Sequence, residues 1–200
     1  MKLHEEISRV KQIMGIYESV NSIKQKLMYY EQLMEIMDED VISEQGDDDE
    51  KNDVLEKINA GDFNNDVNEF YDAFMKSKRM EMLTPYNKDE LNDMKLFKLN
   101  GYDIGYALKR YNNGDEYNEI VSVFNNSGIG GIGKALIESA IRNGGCYLDH
   151  YDGFLSDLYG SMGFEEIDRY GFDPQYDPEG TFREKYGESD IIVRKHKDCI

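Results

Sequence analysis

The stretch Glu119-Ile-Val-Ser-Val-Phe-Asn-Asn-Ser-Gly-Ile-Gly-Gly-Ile-Gly-Lys-Ala-Leu-Ile137 is the part of this sequence that decides the fold. Its pattern predicts a short apolar strand, a glycine-rich turn and the first turns of an amphipathic helix. Four residues can adopt backbone angles closed to other amino acids and let a ligand approach the main chain: Gly128, Gly130, Gly131 and Gly133. The free N–H groups and positive dipole end of the helix point back at this turn. The stretch therefore predicts an anion site, typically for the phosphate of a cofactor.

The composition of the 200-residue chain indicates one folded domain with an appendage. A hydrophobic content of 40%, with 15 Tyr and 9 Phe, is enough for a core. The net charge of −18 opposes nonspecific binding to nucleic acid or to an anionic membrane surface. We therefore expect neither nucleic acid nor a membrane as a partner, whereas a cationic substrate is compatible with the charge.

The cysteines and the first residues bear on the cellular compartment. Cys146 and Cys199 are far apart in sequence and lack metal-ligand spacing, which predicts two reduced thiols and no metal site. The start, Met1–Glu6, is charged and has no apolar signal core, and no apolar segment approaches the length of a membrane span. We therefore expect a cytoplasmic protein.

Residues 1–37 form a separate amphipathic helical leader in this interpretation. Apolar residues recur at alternating spacings of four and three in two sets, Leu3, Ile7, Val10, Met14, Tyr17 and then Ile23, Leu27, Tyr30, Met34, Met37. One apolar stripe per helix suits a helical hairpin, a coiled coil, docking on a partner, or packing on the chain's own domain. Binding of a protein partner and self-association through residues 3–37 therefore both stay open.

Residues 38–53 are predicted to be a solvated acidic linker. They hold nine acidic residues against one lysine, and like charges at this density repel each other. The Asp47-Asp48-Asp49 run lacks the alternating spacing of a calcium loop. A role of this cluster as a mimic of nucleic acid is a weaker alternative.

Residues 54–200 have the pattern of an α+β domain. We predict one or two helices in Val54–Lys78 and a further helix at Ile132–Arg142, followed by a helix near Gly153–Ser161. Turn residues at Asn100-Gly101 and Asn112–Asp115 separate the first three predicted strands. The predicted strands are Met94–Leu99, Ile104–Tyr111, Glu119–Phe124, Cys146–Asp149, Glu165–Tyr170 and Asp190–Arg194.

Two familiar phosphate-binding motifs nearly match the glycine loop. As a triphosphate P-loop, Gly128–Lys134 fits G-x-x-x-x-G-K, but Ala135 stands where Ser or Thr should hold Mg²⁺. As a dinucleotide fingerprint, Gly128–Gly133 fits G-x-G-x-x-G, with Asp149 at a suitable distance downstream. However, that motif opens a domain, and here a strand meander precedes it. Both interpretations fall short.

The flanks of the loop carry a third interpretation. Gly131-Ile132-Gly133 matches the end of an Arg/Gln-x-x-Gly-x-Gly/Ala loop, and Leu158-Tyr159-Gly160-Ser161-Met162-Gly163-Phe164 matches a Leu-Tyr-x-x-x-Gly-Phe signature downstream. In this order, over about 140 residues from Val54 to Lys195, the region resembles the GNAT superfamily of acetyl-CoA-dependent N-acetyltransferases. The resemblance implies a GNAT-like α+β fold, with a mixed, mostly antiparallel sheet flanked by helices. The helical leader would then be an N-terminal extension.

The resemblance also implies a cofactor, acetyl-CoA or another acyl-CoA, and the residues that hold it. The backbone of Val123–Asn125 would pair with the pantetheine arm, and Ser127–Lys134 would hold the pyrophosphate. The cofactor-binding residues are then Val123, Asn125, Ser127, Gly128, Ile129, Gly130, Gly131, Ile132, Gly133 and Lys134. Gly128 takes the place of the family's Arg or Gln, which removes a side chain but keeps the backbone N–H groups.

Acyl transfer to an amine needs a base, donors to the oxyanion and an acid for the leaving thiolate. The resemblance makes Tyr159 the candidate acid and Glu119, on the last meander strand, a candidate base. His150 has a near-neutral reference pKa and follows a predicted strand, so it is an alternative base. Each of these residues has a simpler role available, in packing or in solvent.

Two functions follow from these observations. The first is an acyl-CoA-dependent N-acyltransferase, most simply an N-acetyltransferase, that acts on an amine of a small molecule or a protein. The second is a non-catalytic GNAT-like protein that docks through its leader. Leu148–Gly153, Phe172–Pro178 and the charged leader from His4 to Met14 also resemble phage-encoded proteins. A phage structural or host-interaction role, in the host cytoplasm or the virion, is therefore part of this second hypothesis.

Overall fold

The structure is a computed structural model that describes residues 48–78, 80, 83–114, 116–174, 180, 183–184 and 187–199. The predicted leader at 1–37 and residues 38–47 of the predicted acidic linker lie outside these ranges. None of the helices in the described ranges is both long and apolar enough to cross a membrane.

Five helices and seven strands make up the described part of the chain. The helices are α1 Asp48–Ala60, α2 Val67–Phe74, α3 Lys88–Asn92, α4 Ile132–Arg142 and α5 Phe154–Ser161. The strands are β1 Phe63–Asn64, β2 Lys95–Leu99, β3 Ile104–Arg110, β4 Tyr117–Asn125, β5 Tyr147–Tyr151, β6 Phe164–Tyr170 and β7 Ile191–His196. A short 3₁₀ helix, Tyr111–Asn113, joins β3 to β4.

The strands form one sheet in the order β1-β2-β3-β4-β5-β7-β6. Every neighbouring pair is antiparallel except β4 and β5, which are parallel because α4 carries the chain back across the sheet between them. The prediction of an α+β fold with a mixed, mostly antiparallel sheet is therefore confirmed.

Two apolar layers hold the helices on opposite faces of the sheet. One layer packs α1 and α4 against inward residues of β3, including Ile104, Tyr106 and Leu108. The other packs α2 and α3 against Leu96, Ala107, Val121 and Phe124. Side chains of a strand alternate between the two faces, so both layers use β3. The sheet is therefore the shared centre of the core.

The acidic linker was predicted too long, because its last six residues, Asp48–Asp53, belong to α1. Three acids in the first turn, Asp48, Asp49 and Glu50, lie at the positive end of the helix dipole and favour a helix start there. Val54 and Ile58 bury the opposite face of this helix in the core. Charge density alone does not exclude a helix when one face can be buried.

The prediction of two reduced thiols is wrong, since Cys146 and Cys199 form a disulfide with Cα atoms 5.8 Å apart. Cys146 directly precedes β5 and Cys199 follows β7. These two strands pair antiparallel with Tyr147 opposite Lys195, which brings the start of one and the end of the other together. The pairing of the strands thus decides the pairing of the cysteines, and sequence spacing could not show it.

We expect loss of this disulfide to lower the free energy of unfolding. A cross-link that closes a loop with a sequence separation of 53 restricts the unfolded chain by up to about 4 kcal/mol in the chain-entropy description. Urea unfolding with and without dithiothreitol measures the change. Dithiothreitol should leave the double variant Cys146→Ser/Cys199→Ser unaffected, and equal stability of the oxidised and reduced wild-type protein would contradict the prediction.

Candidate functional site

A cleft opens where β4 and β5 separate. Glu119 and Tyr147 are the one register pair between these strands in the described ranges, and the N–H of Cys146 donates to the carbonyl of Asn118 beside it at 2.7 Å. Beyond this vertex each strand stays paired only on its far side, β4 with β3 and β5 with β7. The gap holds a cavity of about 330 Å³ between β4, β5, α4 and α5.

The cavity has an apolar wall and a few polar groups, as ligand clefts usually do. Its apolar lining comes mainly from Ile120, Leu136, Ile137, Leu148, Leu155 and Leu158. Polar groups come from Tyr86, Ser122, Asn125, Asp149, His150 and Tyr159. Leu83 and Thr84, in the connection between α2 and α3, line it as well. Several predicted site residues, Val123, Asn125, Gly133, His150 and Tyr159, therefore share one cavity.

A β-bulge in β4 shapes the wall of the cleft. Between two flanking register pairs, Tyr106 of β3 lies opposite both Ser122 and Val123. Ser122 is the extra residue: its φ is 51°, and its buried Oγ has no hydrogen-bond partner in the described part of the chain. Strained backbone and unpaired buried hydroxyls are costly and occur preferentially at functional sites. Sequence reasoning missed Ser122, because an apolar run does not reveal a bulge.

The glycine loop is held in shape by Asn125 at the end of β4. The Asn125 side-chain oxygen accepts from the Ser127 N–H at 3.1 Å and from its hydroxyl at 2.7 Å, and its Nδ2 donates to the Ile129 carbonyl at 2.8 Å. The Ile129 N–H in turn donates to Ser127 Oγ, and the Ile129 side chain is buried. The side chains of Asn125 and Ser127 thus hold the shape of the loop, and their contact with a cofactor stays a prediction.

The loop leads into a helix start that offers free donors. Gly131, with φ of 76°, precedes α4 and provides no side-chain cap, so the first N–H groups of α4 have no capping partner from it. A Cβ atom at Gly128 or at Gly133 would meet nothing within 4 Å, so the space over the loop is open. Lys134, in the first turn, is exposed and 3.9 Å from Glu138. This combination of free N–H groups, open space and a cation suits an anion.

Tyr159, on α5, lines the cleft beside His150 of β5. Its ring centroid is 5.1 Å from that of His150 and 6.0 Å from that of Phe164. Burial, together with the negative charge of Asp149, raises the pKa of the Tyr159 hydroxyl to about 12. The hydroxyl therefore keeps its proton at neutral pH and can donate a hydrogen bond or a proton to a group in the cleft.

His150 is buried and both of its ring nitrogens are engaged. Nδ1 lies 2.7 Å from the carbonyl of Tyr151, which can only accept, and Nε2 accepts from Arg194 Nε at 2.9 Å. Burial lowers the pKa of the imidazole, the Tyr151 carbonyl opposes this, and the charge of Arg194 lowers it further. The ring is therefore neutral with the proton on Nδ1. Because its lone pair is taken, this geometry counts against the predicted role of His150 as a base.

Glu119 lies at the vertex, in a cavity of about 420 Å³ next to the cleft. Its carboxylate is 3.1 Å from Lys109 Nζ, which also donates to the hydroxyl of Tyr86 at 3.2 Å. Burial raises the pKa of the Glu119 carboxyl, although Lys109 opposes the shift. Asp149 lines both cavities and connects them. Glu119 thus lines the neighbouring cavity and Tyr159 lines the cleft, with Asp149 in the lining of both.

Comparison with known proteins found no family model, no curated protein and no solved structure that matches this chain. The assignment of a function therefore depends on the geometry of the cleft and on the sequence motifs.

We expect Tyr159 to make the stability of the domain fall at alkaline pH. A folded-state pKa of about 12 lies above the unfolded value of about 10, so the unfolded chain loses this proton first and stability declines as pH rises past about 10. Urea unfolding should show the difference between wild type and Tyr159→Phe shrinking by about 1 kcal/mol between about pH 9 and about pH 11. Other tyrosines titrate in both proteins and cancel. A constant difference would mean that Tyr159 is not shielded from water.

Proposed function

We propose that this protein is an acyl-CoA-dependent N-acyltransferase that uses acetyl-CoA, or another acyl-CoA, to acylate an amine. The observation that carries the proposal is the cleft between β4 and β5, which runs from the glycine loop and the start of α4 to Tyr159. A ligand with an anionic end and a reactive end matches these two ends. The sequence signature Leu158–Phe164 supports the same choice, since it contains the end of α5 and Tyr159.

The residues of the loop fit the pyrophosphate of CoA. Open space over Gly128 and Gly133 leaves room for phosphate oxygens, and the uncapped N–H groups of α4 supply donors. Lys134 adds a positive charge in a chain of net charge −18. The edge of β4 along Val123–Asn125 faces the cleft, and β5 does not pair with it there, so its backbone is available to an extended arm such as pantetheine.

The reactive end is proposed to lie between β4 and α5. An acyl-CoA supplies an acyl group activated as a thioester, and the amine must reach its carbonyl carbon in the unprotonated form. Tyr159 holds a proton at neutral pH and donates it toward the departing thiolate. Glu119 and Asp149 line the adjoining cavity together with Lys109 and Arg110, and Glu119 has the raised pKa that suits a base acting through water.

The order of elements agrees with the family that the sequence resembles. The helices α1, α2 and the short α3 precede the antiparallel meander β2–β4, and β4 leads into the glycine loop and α4. A strand, the helix that contains Tyr159 and two more strands follow. This agreement supports a GNAT-like identity for the domain. This agreement is a second line of support, because the geometry of the cleft supports the proposal independently of any family.

The second candidate, a non-catalytic GNAT-like protein, is favoured by one observation. Gly128 has φ of 81°, a left-handed conformation that an Arg or Gln adopts only with strain, so this loop is built for a residue without a side chain. The cofactor would then lose the contact that the family's long side chain supplies. In that case the chain would act by docking, with the leader as the binding segment and a phage-encoded structural or host-interaction role.

Isothermal titration with acetyl-CoA separates the two candidates. The N-acyltransferase proposal expects saturable binding, weakened about tenfold by Lys134→Glu because the charge near the phosphates is reversed. The matched control is Lys57→Glu, which changes the net charge equally and likewise breaks an i,i+4 helix pair, with Asp53 at 3.4 Å. Equal binding of acetyl-CoA by both variants would show that its phosphates do not bind at the start of α4.

Absence of binding at millimolar acetyl-CoA would overturn the acyltransferase and leave the docking candidate. Where binding is observed, incubation with acetyl-CoA and a panel of primary amines, followed by mass spectrometry, tests for transfer. Acetylated amine and free CoA should appear together. Tyr159→Phe should slow the transfer more than it weakens the binding.

A further inference from the structure

Arg194 is a buried cation that the mechanism above does not use. Its residue is 9% exposed, and no carboxylate of the described residues lies within salt-bridge distance of it. Its nearest charged neighbour across the β6–β7 pairing, Glu166, is instead bonded to Arg169 at 2.9 Å. A buried guanidinium outside any salt bridge is costly, because the charge gives up water while Glu166, whose charge does interact with it, makes its hydrogen bonds to Arg169 instead.

Arg194 makes two hydrogen bonds, one of them to a residue that lines the cleft. Nε donates to His150 Nε2 at 2.9 Å, and Nη1 donates to the carbonyl of Phe164 at 3.1 Å. A Cβ atom at Gly160 would lie 4.0 Å from Nη1, so α5 covers the guanidinium from above. His150 lines the cleft, and its ring packs 5.1 Å from that of Tyr159. The cation therefore sits one residue behind the wall of the cleft, at the end where Tyr159 lies.

We propose that Arg194 is a positioning residue with two effects. Its hydrogen bond keeps the His150 side chain neutral and fixed in the lining of the cleft, and its buried positive charge stabilises the anion that forms there. The proposal rests on the proposed function, because that anion is the thiolate released from an acyl-CoA. No bond to Arg194 or His150 is made or broken. As the neutral amine attacks, a new N–C bond forms and the C–S electron pair leaves on sulfur. The positive charge behind His150 and a hydrogen bond from Tyr159 lower the energy of that thiolate, and the proton that the amine gives up passes through water to Glu119.

The arrangement also explains why His150 is not free to titrate. Around its ring lie Arg194 on β7, Asp149 within β5, Asp152 directly after β5, and Tyr159 on α5. The two carboxylates favour a charged imidazole, whereas burial and Arg194 oppose it. Since the Nε2 lone pair already accepts from Arg194, protonation would place two cations at hydrogen-bond distance. His150 thus stays neutral, and the positive charge of Arg194 directly behind it acts on groups in the cleft.

The first test is nuclear magnetic resonance of the full chain with ¹⁵N-labelled histidine, and it needs no cofactor. We expect His150, assigned by its absence in His150→Gln, to carry its proton on Nδ1 and to be neutral at its reference pKa of about 6.5, where a free imidazole would be half protonated. A protonated His150 at neutral pH, or a proton on Nε2, would overturn the proposal.

The second test compares the affinities of CoA and desulfo-CoA, which differ in the thiol group, as pH rises. A charge that favours the thiolate raises the affinity for CoA relative to the affinity for desulfo-CoA as pH rises. The ratio should increase on the order of tenfold between about pH 6 and about pH 8 if the pKa of the bound thiol lies about 1.5 units below that of a free thiol. Arg194→Met should abolish this rise. Arg194→Lys should keep part of it, since it retains the charge without the planar fork.

His150→Gln completes the set of variants. Its amide oxygen can still accept from Arg194 but the side chain cannot be protonated, so the pH-dependent gain should persist. A gain that disappears in His150→Gln and survives in Arg194→Met would assign the effect to the imidazole and overturn the proposal. If Arg194→Met does not fold, as judged by its thermal unfolding, the Lys and Gln variants still decide between these outcomes.

The outcomes separate this proposal from the one on which it rests. If wild type binds neither CoA nor desulfo-CoA, the acyl-CoA function fails and the role of Arg194 in it fails too. If wild type binds both ligands with a ratio that does not change with pH, the CoA site stands and the role of Arg194 is refuted. A rise that Arg194→Met removes supports both.

Discussion

The separation of β4 from β5 is the feature on which the rest of the site depends. Two parallel strands that paired along their whole length would close the sheet and leave no room between α4 and α5. Here the pairing stops after Glu119 and Tyr147, and the backbone beyond this vertex faces a cavity. Exposed strand edges are normally protected. An unpaired edge inside a sheet therefore offers backbone N–H and C=O groups with which an extended ligand can pair.

The stability of this open arrangement comes from both sides of the gap. β4 is held by β3 and by the apolar layers on the two faces of the sheet, and β5 is held by β7, whose end is tied back to Cys146 by the disulfide. The vertex is therefore anchored by the Cys146–Cys199 bond on the side away from the cleft. The energetically unfavourable features lie at the opening: the strained backbone and unpaired hydroxyl of Ser122, and the buried His150–Arg194 pair. Stabilising contacts outside the cleft combined with unfavourable groups inside it are typical of functional sites.

The candidate site combines an end suited to an anion with an end where a tyrosine hydroxyl can donate a proton. The first is made of backbone N–H groups and glycines, and the second of side chains from β5, α5 and β7. Glu119 lines a neighbouring cavity that Asp149 shares with the cleft, so a second substrate would approach from that side. An acyl-CoA and an amine are one pair of substrates that fits this polarity, and the buried charge of Arg194 fits the thiolate that their reaction releases.

Local patterns predicted most of the elements. The helix Ile132–Arg142 has the same bounds in the structure, and the glycine turn, the three meander strands and the helix carrying Tyr159 are present within a few residues of their predicted bounds. Short elements with little periodicity, β1 and α3, were missed. The start of α1 inside the acidic run was also missed, because its stability comes from one buried face and from the helix dipole rather than from its composition.

The sequence by itself determined the helices, the strands and the glycine turn, because periodicity, turn residues and helix ends are local properties of the chain. Only the tertiary structure decided which of these groups meet. The open vertex, the bulge at Ser122, the disulfide, the occupied lone pair of His150 and the buried Arg194 all depend on the pairing of strands that are distant in sequence. For the same reason Tyr159 shares a cleft with the loop, while Glu119 faces the neighbouring cavity.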